Sequence, residues 1–312
     1  MCLLVLSMIC WGSWANAFSL CRGKYRFELF YWDYAVGVLA ASLVLFATMG
    51  PGLANLRDLD PGGNAGWAVL AGIVFNLGNV LLVAAVSIAG MAVAFPVCIG
   101  LALLLGVGLS WWVSPQIGGL PLAVGSLLLL LAMGMDAAAY RALTRGRVFS
   151  ARGVVIAVIG GLFMGAFPPC LQKSLVGAAP LDPYTAALLL AVGIVVCTLG
   201  TNRLLMRWPI AGGSAIGMDG YYGAPARHHL LGIAGGAVWA AGAVFNSIAA
   251  GKVSVAVSYA FGTGGTLVAA LWGVLVWKEF RGAPAKSYGY LAGMFVAFLA
   301  GIVVIAWAKA TM

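Results

Sequence analysis

The sequence contains very few charged side chains. Only 8% of its 312 residues are Asp, Glu, Lys or Arg, whereas 63% are hydrophobic, and the mean hydropathy is +1.05. Soluble domains carry about one-quarter charged residues, so this composition excludes a soluble domain and indicates an integral membrane protein. Because a bilayer core about 30 Å thick requires about 20 apolar residues per helix, the chain has room for roughly ten helices that cross the lipid bilayer.

Long apolar runs separated by short connections supply these helices. We predict ten transmembrane helices, at residues 2–20, 30–50, 66–87, 90–113, 119–136, 153–171, 183–202, 230–249, 253–277 and 287–308. The predicted class is an all-α integral membrane protein. It is divided into an N-terminal five-helix repeat at 1–136, a short basic cytosolic connection at 137–152 and a C-terminal five-helix repeat at 153–312.

The sequence also lacks the short motifs of catalysis and metal binding. There is no H-E-x-x-H, no G-x-S-x-G and no G-x-x-x-x-G-K-[ST], so we assign no catalytic residue and expect a protein that is not an enzyme. The six cysteines form no C-x-x-C pair, which favours structural thiols over a metal site. His228 and His229 are interpreted as residues of a cytosolic loop. We expect neither a cofactor nor a metal.

Positive charge is distributed unevenly between the two sets of loops. The loops after the odd-numbered predicted helices hold all of the 17 lysines and arginines except Arg57, Lys173, Lys252 and Lys309. Since cytosolic loops collect Lys and Arg, we predict a multi-pass protein of the cytoplasmic (inner) membrane with both termini outside. This topology explains the net charge of +9 without a nucleic-acid partner. The first apolar run has no basic segment before it, so we expect an uncleaved helix and not a signal peptide.

A spacing pattern shared by the two halves predicts inverted repeats. Four positions of one helix recur in another at one constant offset: Gly72, Asn76, Asn79 and Val83 correspond to Gly235, Trp239, Gly242 and Asn246. At about 100° per residue, each set forms one narrow stripe on its helix. An odd number of helices per half places the halves in opposite orientation, as in many secondary transporters, whose substrate site lies near the midplane of the membrane.

Polar and aromatic side chains inside the apolar runs are the candidate substrate-binding groups. A buried carboxamide can both donate and accept hydrogen bonds to a neutral solute, and an aromatic ring can stack on it. These candidates are Trp14, Asn16, Asn76, Asn79, Trp239, Asn246, Ser258 and Tyr259. The alternative is that the asparagines only join helices. We expect helix breaks at Pro96, Pro168 and Pro169.

Asp33 is the acidic residue expected deepest in the membrane. If the second helix begins near Phe27, Asp33 lies about two turns inside it, where an ionisable group is a functional-site candidate. We predict that it binds the coupling ion, a proton or another cation. The alternative is an interfacial cap near Arg26. On the first helix, Trp14 and Asn16 point to different sides, so both can face one cavity only if the helix has a local break.

Several sequence blocks resemble the ureide permease family of the drug/metabolite transporter superfamily. In order, they are "MCLLVL…WGSW", "YWDY", "AGIVFNLGN", "DPYTA", "MRWPIAG" and "LWGVLVWKEFRG". The opening block is also similar to bacterial rhamnose and glucose uptake permeases. The shared blocks contain Gly12, Trp14, Asp33, Asn79, Trp272 and Glu279. Plant ureide permeases have a long central loop, where this chain has only "AAAYRALTRGRVFSAR".

The resemblance implies ten helices in two inverted repeats and proton-coupled import of a small neutral polar solute, such as allantoin, uracil or xanthine. Two alternatives stay open. One is a rhamnose, glucose or nucleoside permease of the same superfamily, which shares the mechanism but not the substrate. The other is a membrane subunit with no transport cycle. The sequence does not indicate an oligomeric state.

Overall fold

Helices make up almost all of the protein. The computed structural model describes residues 1–21, 23–52, 59–113, 119–143, 150–177, 179–210 and 212–310. It is 83% helical, and no strand occurs among these residues. Ten helical segments are long and apolar enough to cross a membrane. The predicted all-α membrane class with ten transmembrane helices is confirmed, whereas the inverted relation of its halves stays a prediction.

The helices follow the predicted order, but several extend beyond the predicted ends. In chain order they are α1 (Cys2–Ser13), α2 (Asn16–Ser19), α3 (Phe27–Met49), α4 (Asn64–Ala89), α5 (Met91–Val113), α6 (Gly119–Leu143), α7 (Ala151–Leu175), α8 (Pro183–Arg207), α9 (Asp219–Tyr222), α10 (Ala226–Val253), α11 (Val255–Gly262), α12 (Gly265–Leu271), a π-helix (Trp272–Val276) and α13 (Ala285–Ala310). Because α6 continues to Leu143, the predicted connection at 137–152 begins as helix; its residues 144–149 lie outside the described residues. Four arginines that count in the predicted charge asymmetry also lie outside the described residues: Arg22, Arg57, Arg145 and Arg147.

Local sequence signals explain where some of these helices begin. Asp182 precedes α8, and its Oδ1 accepts hydrogen bonds from the backbone N–H groups of Tyr184 at 2.9 Å and Thr185 at 3.1 Å. Pro183 occupies the first helical position, where a missing N–H has no cost. This N-terminal cap fixes the start of α8 at the predicted residue. Between α4 and α5, Gly90 adopts a positive φ of 79°, which separates the two helices.

The chain packs as two compact units. Unit 1 consists of Met1–Leu77 and Cys170–Gly251, and unit 2 consists of Gly78–Pro169 and Lys252–Met312. Each unit therefore combines segments from both halves of the sequence, and α4 and α7 each contribute to both units. Compact packing and internal repetition are different properties, so the predicted repeats at 1–136 and 153–312 stay a prediction.

Glycines hold the helices of unit 1 at close range. A Cβ atom on Gly37 of α3 would collide with the carbonyl of Ile233 on α10, and a Cβ atom on Gly72 of α4 would collide with the carbonyl of Leu190 on α8. The α3 and α8 helices also pack along each other. Without a hydrophobic driving force between helices in lipid, small residues that permit close backbone contact are a main source of association. Gly72, the one glycine of the predicted stripe on α4, thus serves helix packing.

Unit 2 is built by α6 against α13 and by α5 against α6 and α11. A Cβ atom on Gly125 of α6 would collide with the side chain of Ile305 and would lie 3.0 Å from the carbonyl oxygen of Gly301. A buried apolar cluster joins α4, α5 and α7 in the same unit; its members are Leu82, Ala85, Ala94, Cys98 and Ala157. Most of these side chains are small, so the three helices approach closely.

The prolines do not interrupt their helices, which corrects the expected helix breaks. Pro96 lies inside α5, and Pro168 and Pro169 lie inside α7, which continues to Leu175. Pro168 has no N–H for the carbonyl of Met164 four residues earlier. The Tyr259 hydroxyl of α11 donates to that carbonyl instead, at 3.1 Å. A side chain from another helix thereby satisfies the carbonyl that the proline leaves free, as transmembrane helices require.

Removal of this hydroxyl should destabilise unit 2 more when the proline is present than when it is replaced. Tyr259→Phe should lower the free energy of unfolding by about 1 kcal/mol, because the part-buried Met164 carbonyl loses its donor. In a Pro168→Ala background, the new backbone N–H of residue 168 supplies the donor, so the same change should cost less. Equilibrium unfolding of the four proteins in detergent micelles gives the coupling energy. A coupling of zero would contradict the assignment.

Two predicted helices are broken elsewhere. The first is interrupted at Trp14 and Ala15, between α1 and α2, which is the local break considered for that helix. The ninth, predicted as one helix at 253–277, is divided at Thr263 and Gly264 and ends in the π-helix. At this division the N–H of Thr266 bonds to the carbonyl of Thr263 at 3.1 Å, the tighter pattern of a 3₁₀ turn. The glycine-rich run "FGTGGT" therefore contains the short turn that divides two α-helices.

Candidate functional site

Asp33 lies buried in the second turn of α3, about 9 Å from its start at 1.5 Å per residue. Its side chain is only 2% exposed. The Tyr25 hydroxyl donates to Oδ2 at 2.8 Å, and the Tyr221 hydroxyl donates to Oδ1 at 2.7 Å. Nδ1 of His229 lies 3.0 Å from each carboxylate oxygen. We call Asp33, Tyr25, Tyr221 and His229 the Asp33 cluster.

Three separate segments bring these partners to Asp33. Tyr25 lies between α2 and α3, Tyr221 lies on α9, and His229 lies in the first turn of α10. A Cβ atom on Gly232 of α10 would collide with Cβ of Asp33. Since glycine has no Cβ, α10 can approach α3 at this level, and His229, less than one turn earlier, reaches the carboxylate.

The cluster is arranged to hold a negative charge or a proton. Burying an ionised carboxylate without partners costs several kcal/mol, and here both oxygens accept hydrogen bonds. Burial raises the pKa of Tyr25 and of Tyr221 far above the usual value of a phenol, and the hydrogen bond to Asp33 and its negative charge raise both further. Both phenols therefore stay protonated and donate at neutral pH. A protonated His229 would form an ion pair with Asp33.

Sequence reasoning identified Asp33 but not its partners. His228 and His229, interpreted as loop residues, belong to α10, because this helix begins at Ala226, before the predicted residue 230. The His228 ring stacks on Tyr25 with ring centroids 5.2 Å apart. The predicted topology was the one sequence signal that could have indicated these partners. It places the start of the second helix, near Asp33, and the start of the eighth helix, near His229, at the same membrane face.

The alternative of an interfacial cap near Arg26 is not supported by the contacts. Arg26 forms an ion pair with Glu28, with Nη2 2.6 Å from Oε1. Another nitrogen of the same guanidinium donates to the carbonyl of Ser214 at 2.6 Å. The guanidinium thus neutralises Glu28, whereas Asp33 has the donors of its own cluster.

Two of the candidate substrate-binding residues, Trp14 and Trp239, meet in an aromatic cluster of unit 1. The Tyr34 ring lies between them, with its centroid 4.9 Å from Trp14 and 6.4 Å from Trp239. The ring of Phe75 on α4 packs on the ring of Trp239, with their centroids 4.4 Å apart. Trp11 also stacks near Trp239, and its indole N–H donates to the Trp239 carbonyl at 3.3 Å. The helices α1, α3 and α10 thus share one aromatic surface.

Asn76 belongs to a hydrogen-bond network between helices of the same unit. Its side chain is 0% exposed, and its Oδ1 accepts from the Tyr31 hydroxyl at 2.7 Å and the Thr198 hydroxyl at 3.3 Å. Its Nδ2 lies 3.5 Å from the hydroxyl of Thr201. These contacts join α3, α4 and α8. They agree with the interhelical alternative considered for the asparagines.

Asn16 acts at the break in the first predicted helix. Its Nδ2 donates to the carbonyl of Ser13, the last residue of α1, at 3.1 Å. The carbonyl freed by the break is thereby satisfied within the same segment. The rival candidates Trp14 and Asn16 therefore differ in their described contacts, since Trp14 contacts Tyr34 of α3 and Asn16 bonds to its own segment. Asn246 lies buried on α10, 8% exposed, in the same unit.

The remaining three candidate substrate-binding residues, Asn79, Ser258 and Tyr259, belong to unit 2. Asn79 is buried on α4, with 3% exposure. Ser258 is fully buried on α11, and its hydroxyl donates to the carbonyl of Val255 at 3.1 Å. The Tyr259 hydroxyl is bonded to α7 beside Pro168, as described above. The structure brings Trp14, Trp239 and the Asp33 helix together, but describes Asn79, Ser258 and Tyr259 in a different unit.

A second group of acidic side chains occurs in unit 2. The Tyr140 hydroxyl donates to Oε2 of Glu279 at 2.6 Å. A Cβ atom on Gly273 would lie 2.8 Å from the same oxygen, so the glycine makes room for the carboxylate. Oδ1 of Asp136 is buried and has no hydrogen-bond partner within the described part of the chain. Glu279, which lies in a block that resembles the ureide permeases, thus has a hydrogen-bond donor in Tyr140.

The thiols and possible metal ligands are dispersed. All six cysteines are free. Within the part of the chain that the structure describes, no three His, Cys, Asp or Glu side chains are close enough together to hold a metal ion. The side chains in contact with the Asp33 carboxylate are two phenols and an imidazole.

Comparisons with known proteins identify the fold and no family. No family model matches the chain, and no curated protein matches it. A solved structure described only as "Crystal structure of protein" matches with a TM-score of 0.65 and 18% identity, over 99% of this chain and 96% of that chain. At this identity the likeness concerns the fold alone. It extends over nearly the whole of both chains.

Proposed function

We propose that this protein is a secondary active transporter that imports a small neutral polar solute together with a proton. The observation that carries the proposal is the Asp33 cluster, a buried carboxylate with three hydrogen-bonding partners inside a membrane-spanning helix. An ionisable group in such a position is expensive to keep and is typical of ion pathways and proton relays. The resemblance to ureide permeases supports a ureide or nucleobase as the solute.

Asp33 would alternate between carboxylate and carboxylic acid during the cycle. When a proton binds, the carboxylate loses its charge, and the hydrogen bonds from Tyr25 and Tyr221 weaken because hydrogen bonds to charged acceptors are the stronger ones. Its attraction to a protonated His229 is lost at the same time. Release of the proton on the other side of the membrane restores these contacts. Proton binding would thus change how firmly α3 is held to α9 and α10.

The transport cycle would follow the architecture of inverted-repeat transporters. Two five-helix repeats, 1–136 and 153–312, would move relative to each other around a solute site near the midplane. We propose the cytoplasmic (inner) membrane as the location, with both termini outside, since this orientation places the basic loops in the cytosol. Trp14 and Trp239 would offer aromatic faces to the solute.

A solute panel tests this function. The purified protein is reconstituted into liposomes, and uptake of radiolabelled allantoin, uracil, xanthine, rhamnose and glucose is measured with an acidic outer solution. We expect accumulation of a ureide or nucleobase above its external concentration, and loss of this accumulation when a protonophore removes the pH gradient. Protein-free liposomes are the control.

Each result of the panel separates the hypotheses. Accumulation of rhamnose or glucose in preference to the other solutes would replace the proposed substrate class by sugars. Accumulation that is insensitive to the protonophore would contradict proton coupling. No uptake of any solute, together with no ligand-induced shift in melting temperature, would favour a membrane subunit without a transport cycle.

A further inference from the structure

The Tyr34 hydroxyl is a buried polar group without a partner. Tyr34 is 0% exposed, and its hydroxyl oxygen has no hydrogen-bond partner among the residues that the structure describes. Native proteins leave few buried polar groups unsatisfied, because each costs free energy that a hydrogen bond would recover. The cost is larger inside a membrane-spanning helix, where lipid cannot supply a partner. The unpaired hydroxyl therefore requires an explanation.

The polar groups nearest in sequence and packing do have partners. The Tyr31 hydroxyl, one turn earlier on α3, donates to Asn76 at 2.7 Å. Asp33, the neighbouring residue, accepts from two phenols. The indole N–H of Trp11, in the same aromatic cluster, donates to a backbone carbonyl. The fold satisfies these three groups, whereas the Tyr34 hydroxyl and eight further buried side-chain atoms have no hydrogen-bond partner among the described residues.

The surroundings of the Tyr34 ring are aromatic and uncharged. Trp14 lies 4.9 Å away, Tyr31 5.1 Å and Trp239 6.4 Å, as distances between ring centroids. None of these rings carries a formal charge. A phenol hydroxyl both donates and accepts hydrogen bonds, and tryptophan and tyrosine faces stack on flat rings. Together they match a flat, neutral molecule whose edge carries carbonyl and N–H groups.

We propose that the Tyr34 hydroxyl is a solute-binding group, which forms a hydrogen bond with the polar edge of a flat, neutral heterocycle in the transport cycle. This inference rests on the proposed transport function and adds to it a specific residue and substrate chemistry. The solute would supply the hydrogen-bond partner that the described residues do not. A site built to bind a polar edge also selects against molecules without that edge, because the hydroxyl then stays unpaired.

The test compares Tyr34→Phe with the wild-type protein, using uracil and allantoin as probes. The substitution removes one oxygen atom and keeps the ring. In the absence of solute, the melting temperature should stay the same or rise, because the removed hydroxyl had no partner. The dissociation constant for the probe that binds should rise about tenfold, the effect of losing one good hydrogen bond. Tyr31→Phe is the matched comparison for stability, since its hydroxyl is bonded to Asn76 and its removal should lower the melting temperature.

Each outcome decides between the two proposals. If the wild-type protein binds a probe and Tyr34→Phe binds it equally well, the Tyr34 inference is wrong and the transport proposal stands. If Tyr34→Phe melts as far below the wild type as Tyr31→Phe does, the hydroxyl has a structural partner, and the inference is again overturned. If the wild type binds neither probe, the proposed substrate class is wrong and the inference falls with it.

Discussion

Asp33→Asn is expected to abolish solute accumulation driven by a proton gradient while solute exchange continues. Asparagine has nearly the same shape as a protonated aspartate, and its amide oxygen can still accept from Tyr25 or Tyr221. It cannot bind and release a proton, so the cycle that moves one proton with each solute is blocked. In liposomes, accumulation under an acidic outer solution should fall to the level of protein-free liposomes. Exchange of external labelled solute for internal unlabelled solute should stay within a few-fold of wild type.

Glu28→Gln is the matched control for this prediction. Glu28 is a carboxylate on the same helix, but it pairs with Arg26 near the start of α3. Neutralising it should leave gradient-driven accumulation in place, because its charge is not part of the Asp33 cluster. Accumulation with wild-type proton dependence in Asp33→Asn would show that the proton binds elsewhere. Loss of both accumulation and exchange would assign Asp33 a structural role.

The fold was largely predictable because each transmembrane helix must satisfy its backbone internally. Long apolar runs then have few alternatives, and all ten predicted helices coincide with membrane-length helices. The errors lie at positions where short-range rules compete with tertiary contacts. Pro168 predicted a break, but the Tyr259 hydroxyl satisfies the carbonyl that the proline leaves free. The sequence did not predict the division of the ninth helix, because glycines are as typical of close helix packing as of a turn between two helices.

The candidate site was predictable only in part. Asp33 stands out in a sequence with few acidic residues. Its partners Tyr25 and Tyr221 lie in a connection and on the four-residue helix α9, which are too short for a periodicity that would indicate which way a side chain points. Asn76 shows a related limit. A buried amide in an apolar helix needs a partner, yet the sequence cannot distinguish a solute from another helix, and here Tyr31 and Thr198 are the partners.

Gly236→Ala should strongly destabilise unit 1. A Cβ atom at this position of α10 would collide with the carbonyl of Tyr34 and lie 2.7 Å from the backbone nitrogen of Val38 on α3. Backbone atoms cannot move aside as a flexible side chain can, so the two helices must separate. We expect the free energy of unfolding to fall by about 2–3 kcal/mol, the upper part of the range for added volume in a packed interior. Equilibrium unfolding in detergent micelles measures this loss.

Gly251→Ala on the same helix is the control, because an added Cβ atom meets nothing within 4 Å there. Alanine favours a helix over glycine by about 1 kcal/mol, so this variant should be as stable as the wild type or more stable. If Gly236→Ala behaves in the same way, the close contact of α3 and α10 does not exist in the folded protein. That contact also brings His229 to Asp33, since Gly232 lies one turn before Gly236 on the same face of α10. A separation of the helices should therefore reduce gradient-driven uptake as well as stability, whereas Gly251→Ala should change neither uptake nor its dependence on the proton gradient.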